Sequence, residues 1–229
     1  MNVKLSDAIR FAADAVDAET KNRPVLRRVC FHTEGDGVMW VLGTNSYRAH
    51  LVETLSTFRG SFSGAVDHVT VLAALDAAQG DDVPILSVVD RALHVGDATF
   101  DVIDPELSPA AKAVERVTEQ IKATTAEPFN LDAAIVALGK RKAPKGAQVA
   151  FHDGATPHQL RGHMVMPLAD GPATPVLFNR HVWDPAAKAL HAMPGDETTT
   201  VRWPVPAWLP AVLSRGPVHA VVMPVRVLG

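Results

Sequence analysis

The chain has one cysteine, no long apolar run and no excess of positive charge, and each shortage bears on a class of protein. A single cysteine, Cys30, cannot make an internal disulfide, so a disulfide-stapled secreted scaffold is excluded. Set in Val29-Cys30-Phe31, it reads as a small core residue rather than a nucleophile. The longest apolar stretches are strand-length and broken by charge or proline, which leaves no membrane-spanning segment. No basic segment followed by an apolar one opens the chain, so no secretory signal is read and a reducing, cytoplasmic setting is expected. Net charge is −3, whereas a small DNA-binding module is usually basic overall. Any contact with DNA must therefore come from local clustering of charge.

The signatures of catalysis are missing as well. Gly60-Ser61-Phe62-Ser63-Gly64 places its serines wrongly for a nucleophile elbow, and neither a dinucleotide-binding nor a phosphate-loop glycine string occurs. His152, His158 and His163 are spaced five to six apart around glycines, without a second ligand type to complete a metal set. The acidic pairs Asp81-Asp82 and Asp196-Glu197 sit where turns follow helices and read as solvated loop charge. No nucleophile, base and oxyanion site assemble, so neither an enzyme nor a cofactor or metal is expected.

What remains is a 229-residue chain, 47% hydrophobic and 21% charged, long enough for one large domain or two smaller ones. It repeats itself about half a chain apart. His68-Val69, Ala73-Ala74 and Gly80-Asp81-Asp82 are matched in order by His181-Val182, Ala186-Ala187 and Gly195-Asp196-Glu197. Likewise Val29-Cys30-Phe31-His32 is matched by Val149-Ala150-Phe151-His152, and Ala8-Ile9 by Ala134-Ile135. In the first half, Ile9, Ala12, Ala13 and Val16 share one face of a helix from Leu5 to Val16. Strands follow at Val25 to Thr33, Val38 to Thr44 and His50 to Leu55, the first two joined by a hairpin at Glu34-Gly35-Asp36-Gly37. A second helix, Val69 to Ala78, precedes strands at Ile85 to Val89, Ala92 to Val95 and Thr99 to Ile103. The second half repeats the order, with helices near 131–139 and 180–192 and a closing strand His219 to Val227.

Between the halves, Val114, Val117 and Ile121 are spaced for a short amphipathic helix. This segment reads as a connector, with a helix integral to one domain as the alternative. The expected class is α+β: two similar domains, 1–108 and 128–229, joined by 109–127, each with two helices on one face of antiparallel sheet.

Three strings carry the functional signal. The tail Val221-Val222-Met223-Pro224-Val225-Arg226-Val227 is an apolar strand interrupted by a proline, which suits an edge. Thr44-Asn45-Ser46-Tyr47-Arg48-Ala49 follows a strand directly, and Arg23-Pro24-Val25-Leu26 precedes it. By pattern alone the first is a terminal core strand and the second an ordinary polar hairpin connection. Together they resemble the bacterial DNA sliding clamp, the beta subunit of DNA polymerase III. In that family a terminal Met-Pro-x-Arg-Leu and an internal Thr-Asp-Gly-x-Arg-Leu line one pocket on a ring.

The resemblance implies the clamp fold, no enzymatic activity and a peptide pocket formed by Leu26, Thr44, Ser46, Tyr47, Arg48, Ala49, Pro109, Val114, Val221, Val222, Met223, Pro224, Val225 and Arg226. Thr44 and Arg48 match the family pattern, while Asn45, Ser46 and Ala49 stand where it has Asp, Gly and Leu. A basic, DNA-facing helical surface is implied at Arg10, Lys21, Arg23, Lys140, Arg141, Lys142, Lys145, Arg180 and Lys188, although the second helix carries no Lys or Arg. The usual bacterial clamp has three similar domains and closes as a dimer. A two-domain chain implies a head-to-tail homotrimer, as in the eukaryotic and archaeal clamp. Implied partners are duplex DNA, a polymerase and an ATP-driven clamp loader, in the nucleoid region of the cytoplasm. A small α+β enzyme and a non-ring peptide-binding adaptor are the rival readings.

Overall fold

Ala8, Ile9, Phe11, Ala12 and Ala13 form the buried stripe of the first helix, while Arg10 and Asp14 stay outside, as a 3.6-residue period requires. The structure is a computed structural model. It describes residues 3–17, 23–55, 60–77, 86–89, 92–95, 98–103, 109–139, 145–153, 164–168, 176–195, 197–203 and 209–225.

The first half comprises α1 (Leu5–Asp14), β1 (Arg28–Thr33), β2 (Val38–Thr44), β3 (Arg48–Leu55), β4 (Phe62–Asp67), α2 (His68–Ala77), β5 (Leu86–Val89), β6 (Ala92–Val95) and β7 (Ala98–Ile103). After α3 (Pro109–Ala123) come β8 (Glu127–Pro128), α4 (Leu131–Leu138), β9 (Gln148–Asp153), β10 (Met164–Leu168), β11 (Val176–Asn179) and α5 (Arg180–Ala192). The chain closes with β12 (Thr200–Arg202), β13 (Ala211–Arg215) and β14 (Val218–Val222). A 3-10 turn, Pro24–Arg27, leads into β1.

An eleven-stranded sheet runs β5-β6-β7-β4-β1-β2-β3-β14-β13-β12-β8. The seam between the halves falls between its seventh and eighth strands, where β3 and β14 pair antiparallel from Val52↔Val218 to Arg48↔Val222. A three-stranded sheet, β10-β9-β11, belongs to the second half. Here the expected repeat is imperfect. β9 takes the place of β1 beside an antiparallel neighbour, but β10 runs parallel to β9 where β2 is antiparallel to β1. Gly35 and Gly37, at φ 93 and 88, turn β1 into β2, a tight hairpin of the kind that joins only antiparallel strands.

Strand alternation sends one set of side chains toward the helices and the other outward. Val29, Phe31, Met39, Val41 and Val52 join α1, α2, α4 and α5 in the main core. Cys30, Leu42, Leu51, Ala65, Val212 and Val221 point the other way. That outer layer is covered by α3, whose Ala110 and Val117 are buried there beside Val114 and Ile121. The segment expected to connect the halves is thus a 15-residue helix lying on the sheet. The Gln120 side-chain amide also donates to the Pro210 carbonyl, which ties α3 to the start of β13. On the opposite face α1, α2, α4 and α5 form one layer, in which α1 packs against both α2 and α5, and α4 against α5.

Candidate functional site

The turn between β2 and β3 is built by its own side chains. Asn45 Oδ1 accepts from the backbone N–H of Tyr47 at 3.0 Å and of Arg48 at 2.9 Å. Thr44 Oγ1 donates to the Arg48 carbonyl at 2.9 Å and accepts from the Ser46 N–H at 3.2 Å. These bonds hold Ser46 at φ 75, in the left-handed region that favours glycine. Tyr47, at the tip, is 65% exposed.

The tail continues this edge. One residue beyond the pair Arg48↔Val222, the Met223 N–H donates to the Tyr47 carbonyl at 2.8 Å. The Val225 N–H then donates to the Leu177 carbonyl of β11 at 2.7 Å, with the donorless Pro224 between them. Turn, tail and small sheet therefore meet at one place. Ala49 and Val221, partners in register, face outward there with Ala113, Val114 and Val117 of α3 above them. The half-buried Met223, Pro224 and Val225 complete an apolar ledge beside the exposed Tyr47.

Most of the expected pocket residues are brought together: Thr44, Ser46, Tyr47, Ala49, Val114, Val221, Met223, Pro224 and Val225. Two face elsewhere. Val222 is buried in the main core on the helix side. Arg48 is only 11% exposed, and its guanidinium is taken up by Asp14 at the end of α1. The reason is alternation: with Ala49 outward, Arg48 and His50 must point inward. Burial pulls the Arg48 pKa down and pushes that of Asp14 up. Leu26 is buried in the 3-10 turn, its carbonyl accepting from the Asp17 N–H at 2.9 Å. Pro109 begins α3, and its side chain and Arg226 lie outside the described residues.

The helical face needs correction. Arg180 does not point outward: it is buried between α4 and α5, bonded to Asp184 at 2.7 Å and to the Leu138 carbonyl at 2.7 Å. Its fork caps the C-terminus of α4 and is not free for a phosphate. Arg10 is exposed but paired with Asp76 of α2 at 2.7 Å. A second pair joins the other two helices, His191 to Asp132 at 2.9 Å. Lys188, Arg23 and Lys145 are exposed, whereas Lys21, Lys140, Arg141 and Lys142 lie outside the described residues. Among the described residues the outer surface of the helices mixes both signs of charge with exposed Val69 and Val136 and is not a basic wall.

One cluster escaped sequence reasoning. His32 Nδ1 lies 2.7 Å from Ser63 Oγ, and Glu34 is 3.9 Å from His32 Nε2, an order that superficially copies a serine hydrolase. Ser63 has no exposed surface, so no substrate reaches it. The Cys30 thiol is likewise inert, buried and pushed up to about 12. Among the described residues no three His, Cys, Asp or Glu side chains group to hold a metal ion.

Comparison with known proteins places this geometry. No protein-family model matches the sequence, and no curated protein does. Solved structures do match. The DNA polymerase sliding clamp of Bacillus subtilis is 16% identical, with a TM-score of 0.69 over 97% of this chain and 62% of that one. The sliding clamp of Caulobacter crescentus is 11% identical, with a TM-score of 0.68 over 98% of this chain and 64% of that one. The Helicobacter pylori beta clamp bound to a DNA ligase peptide is also 11% identical, with a TM-score of 0.61 over 98% and 65%. This chain therefore spans somewhat under two-thirds of the length of these neighbours. Over nearly its whole length, the protein has the fold of the bacterial DNA polymerase III beta sliding clamps.

Proposed function

We propose that this protein is a DNA sliding clamp. Copies of it enclose a duplex and hold a polymerase, and other replication or repair proteins, through short peptides seated where the turn, the tail and α3 meet. The observation that carries the reading is the bond from Met223 to Tyr47, because it joins the two motifs of the resemblance into one half-buried apolar ledge with Tyr47 exposed beside it. A Helicobacter pylori clamp of the same fold is bound to a DNA ligase peptide. The protein itself catalyses nothing. A closed ring cannot leave DNA sideways, so topology replaces tight binding, and a separate ATP-driven loader opens it.

The ring reading draws on the repeated halves and on the antiparallel seam between them. Residues 1–108 and 128–229 supply two ring segments per copy, joined by 109–127. A head-to-tail trimer supplies six. The mixed charge of the helical face favours a second reading, a non-ring adaptor that keeps the peptide ledge. Light scattering separates them: a solution mass near three times 24.5 kDa supports the ring, and a mass of 24.5 kDa the adaptor. Retention on closed circular DNA, lost when the circle is cut, tests encirclement directly. Equal retention on both forms would reduce the contact to plain adhesion.

A further inference from the structure

The C-terminus of α1 is completed by the strand that carries the peptide-site turn. An α-helix leaves its last four carbonyls without helical partners, and in α1 these belong to Phe11, Ala12, Ala13 and Asp14. The Ala15 and Val16 N–H groups take Ala12 and Ala13, each at 3.1 Å. The other two are taken by inward-facing side chains of β3: His50 Nδ1 donates to the Phe11 carbonyl at 2.8 Å, and Arg48 Nη2 donates to that of Asp14. The last turn of α1 has no basic residue of its own. Arg48 therefore supplies the cation that a helix C-terminus favours.

Arg48 has a second task at the other end of the same residue. Its N–H is held by Asn45 and its carbonyl by Thr44 and Asn45, so its backbone closes the turn that presents Tyr47 to solvent. Its side chain reaches behind the sheet to Asp14 Oδ2 at 3.5 Å. Beside it, β2 approaches α1 so closely at Gly43 that a Cβ there would stand 1.9 Å from the Ala12 carbonyl oxygen. The turn is pinned in front by the tail, through Met223, and behind by the helix, through Arg48.

We infer that Asp14, acting through Arg48, is a positioning residue for the peptide site: the end of α1 fixes where the turn Thr44–Arg48 stands against the tail. This rests on the peptide site proposed above. Asp14 touches no peptide itself, since it lies on the helix side of the sheet and the ledge is on the outer side. Losing its charge leaves the guanidinium held by the Asp14 carbonyl alone, and the loosened turn then samples positions in which the bond from Met223 to the Tyr47 carbonyl is broken.

The experiment measures binding of the ligase peptide carried by the Helicobacter pylori clamp, as a fluorescent probe, to the full-length chain and to Asp14→Asn, Asp14→Glu, Arg48→Gln and the double variant Asp14→Asn/Arg48→Gln. Asp14→Asn and Arg48→Gln should each weaken binding by about tenfold, and the double variant no further, because both break one link. Asp14→Glu should restore most of the affinity. Thermal unfolding of Asp14→Asn should stay cooperative, and amide exchange should speed up at Ser46 and Tyr47 ahead of the core. Additive losses in the double variant, or full affinity in Asp14→Asn, would overturn the inference while leaving the peptide site standing. A wild-type chain that ignores the probe, with Tyr47→Ala no different, would overturn the peptide site itself.

Discussion

Gly43 of β2 lies so close to Ala12 of α1 that a methyl group on it would sit 1.9 Å from the carbonyl oxygen and 2.6 Å from the carbonyl carbon. Both atoms are backbone, and neither yields without moving the helix. Gly43→Ala should therefore destabilise the fold by on the order of 3 kcal/mol, the upper range for overpacking a core. Urea denaturation measures this directly, and a loss below about 0.5 kcal/mol would mean that α1 is less tightly seated than described.

Ser46 makes the opposite prediction. It holds φ 75, the one described non-glycine residue at positive φ, and its backbone is bonded there by Thr44. Ser46→Gly removes the steric penalty of that conformation, partly offset by the greater freedom of glycine in the unfolded chain. A net gain of about 0.5 kcal/mol is expected, raising Tm by ~2 °C. A fall in Tm would mean that the serine side chain stabilises the turn in some other way.

Two buried histidines predict the acid response. Burial lowers the His50 pKa to about 3 and that of His219 to about 4, from an ordinary 6.5. The unfolded chain thus binds protons below about pH 6.5 that the folded chain refuses, and stability falls as pH drops from there toward 4. Asp14 works the other way, since its raised pKa lets the folded state take up a proton earlier than the unfolded one. His32, whose pKa burial also lowers, adds to the histidine side, so three histidines against one carboxyl leave a net loss. Tm recorded from pH 7.5 to 4.5 should decline below 6.5, and His219→Gln should flatten the slope. An unchanged slope would locate the acid sensitivity elsewhere.

Asp76 holds the exposed Arg10 across α1 and α2. If the helical face meets DNA, Asp76→Asn both removes an acid and releases a cation, so affinity for a duplex at low salt should rise by about threefold per copy. Lys188→Gln should lower the salt dependence by about one phosphate contact per copy. Filter binding across a salt series reads both. No change in either variant would move the DNA contacts away from these helices.

How much of this was legible differs from element to element. α1, β2 and β3 could be read because their apolar periods are long and clean, and the glycine-rich hairpin before β2 has a local signature. α3 could be anticipated from Val114, Val117 and Ile121, since any helix with such a stripe must bury it. The seam between β3 and β14 could not, because strand pairing across the chain leaves no mark within either strand. The turn and the tail were found as strings, yet only the bond from Met223 to Tyr47 makes them neighbours. The inward aim of Arg48 follows from alternation once Ala49 is outward. The burial of Arg180 was foreshadowed by Asp184 four residues on, the spacing of a helical ion pair.

The seam has a consequence for how the chain tolerates being cut. A break in the connector between α3 and β8 would leave one fragment ending its sheet at β3 and another ending at β14, each with a bare row of amides and carbonyls and a part of one apolar layer. Such fragments are built to find each other again, so the protein should behave as a natural split pair whose reassembly rebuilds the ledge from a turn on one piece and a tail on the other.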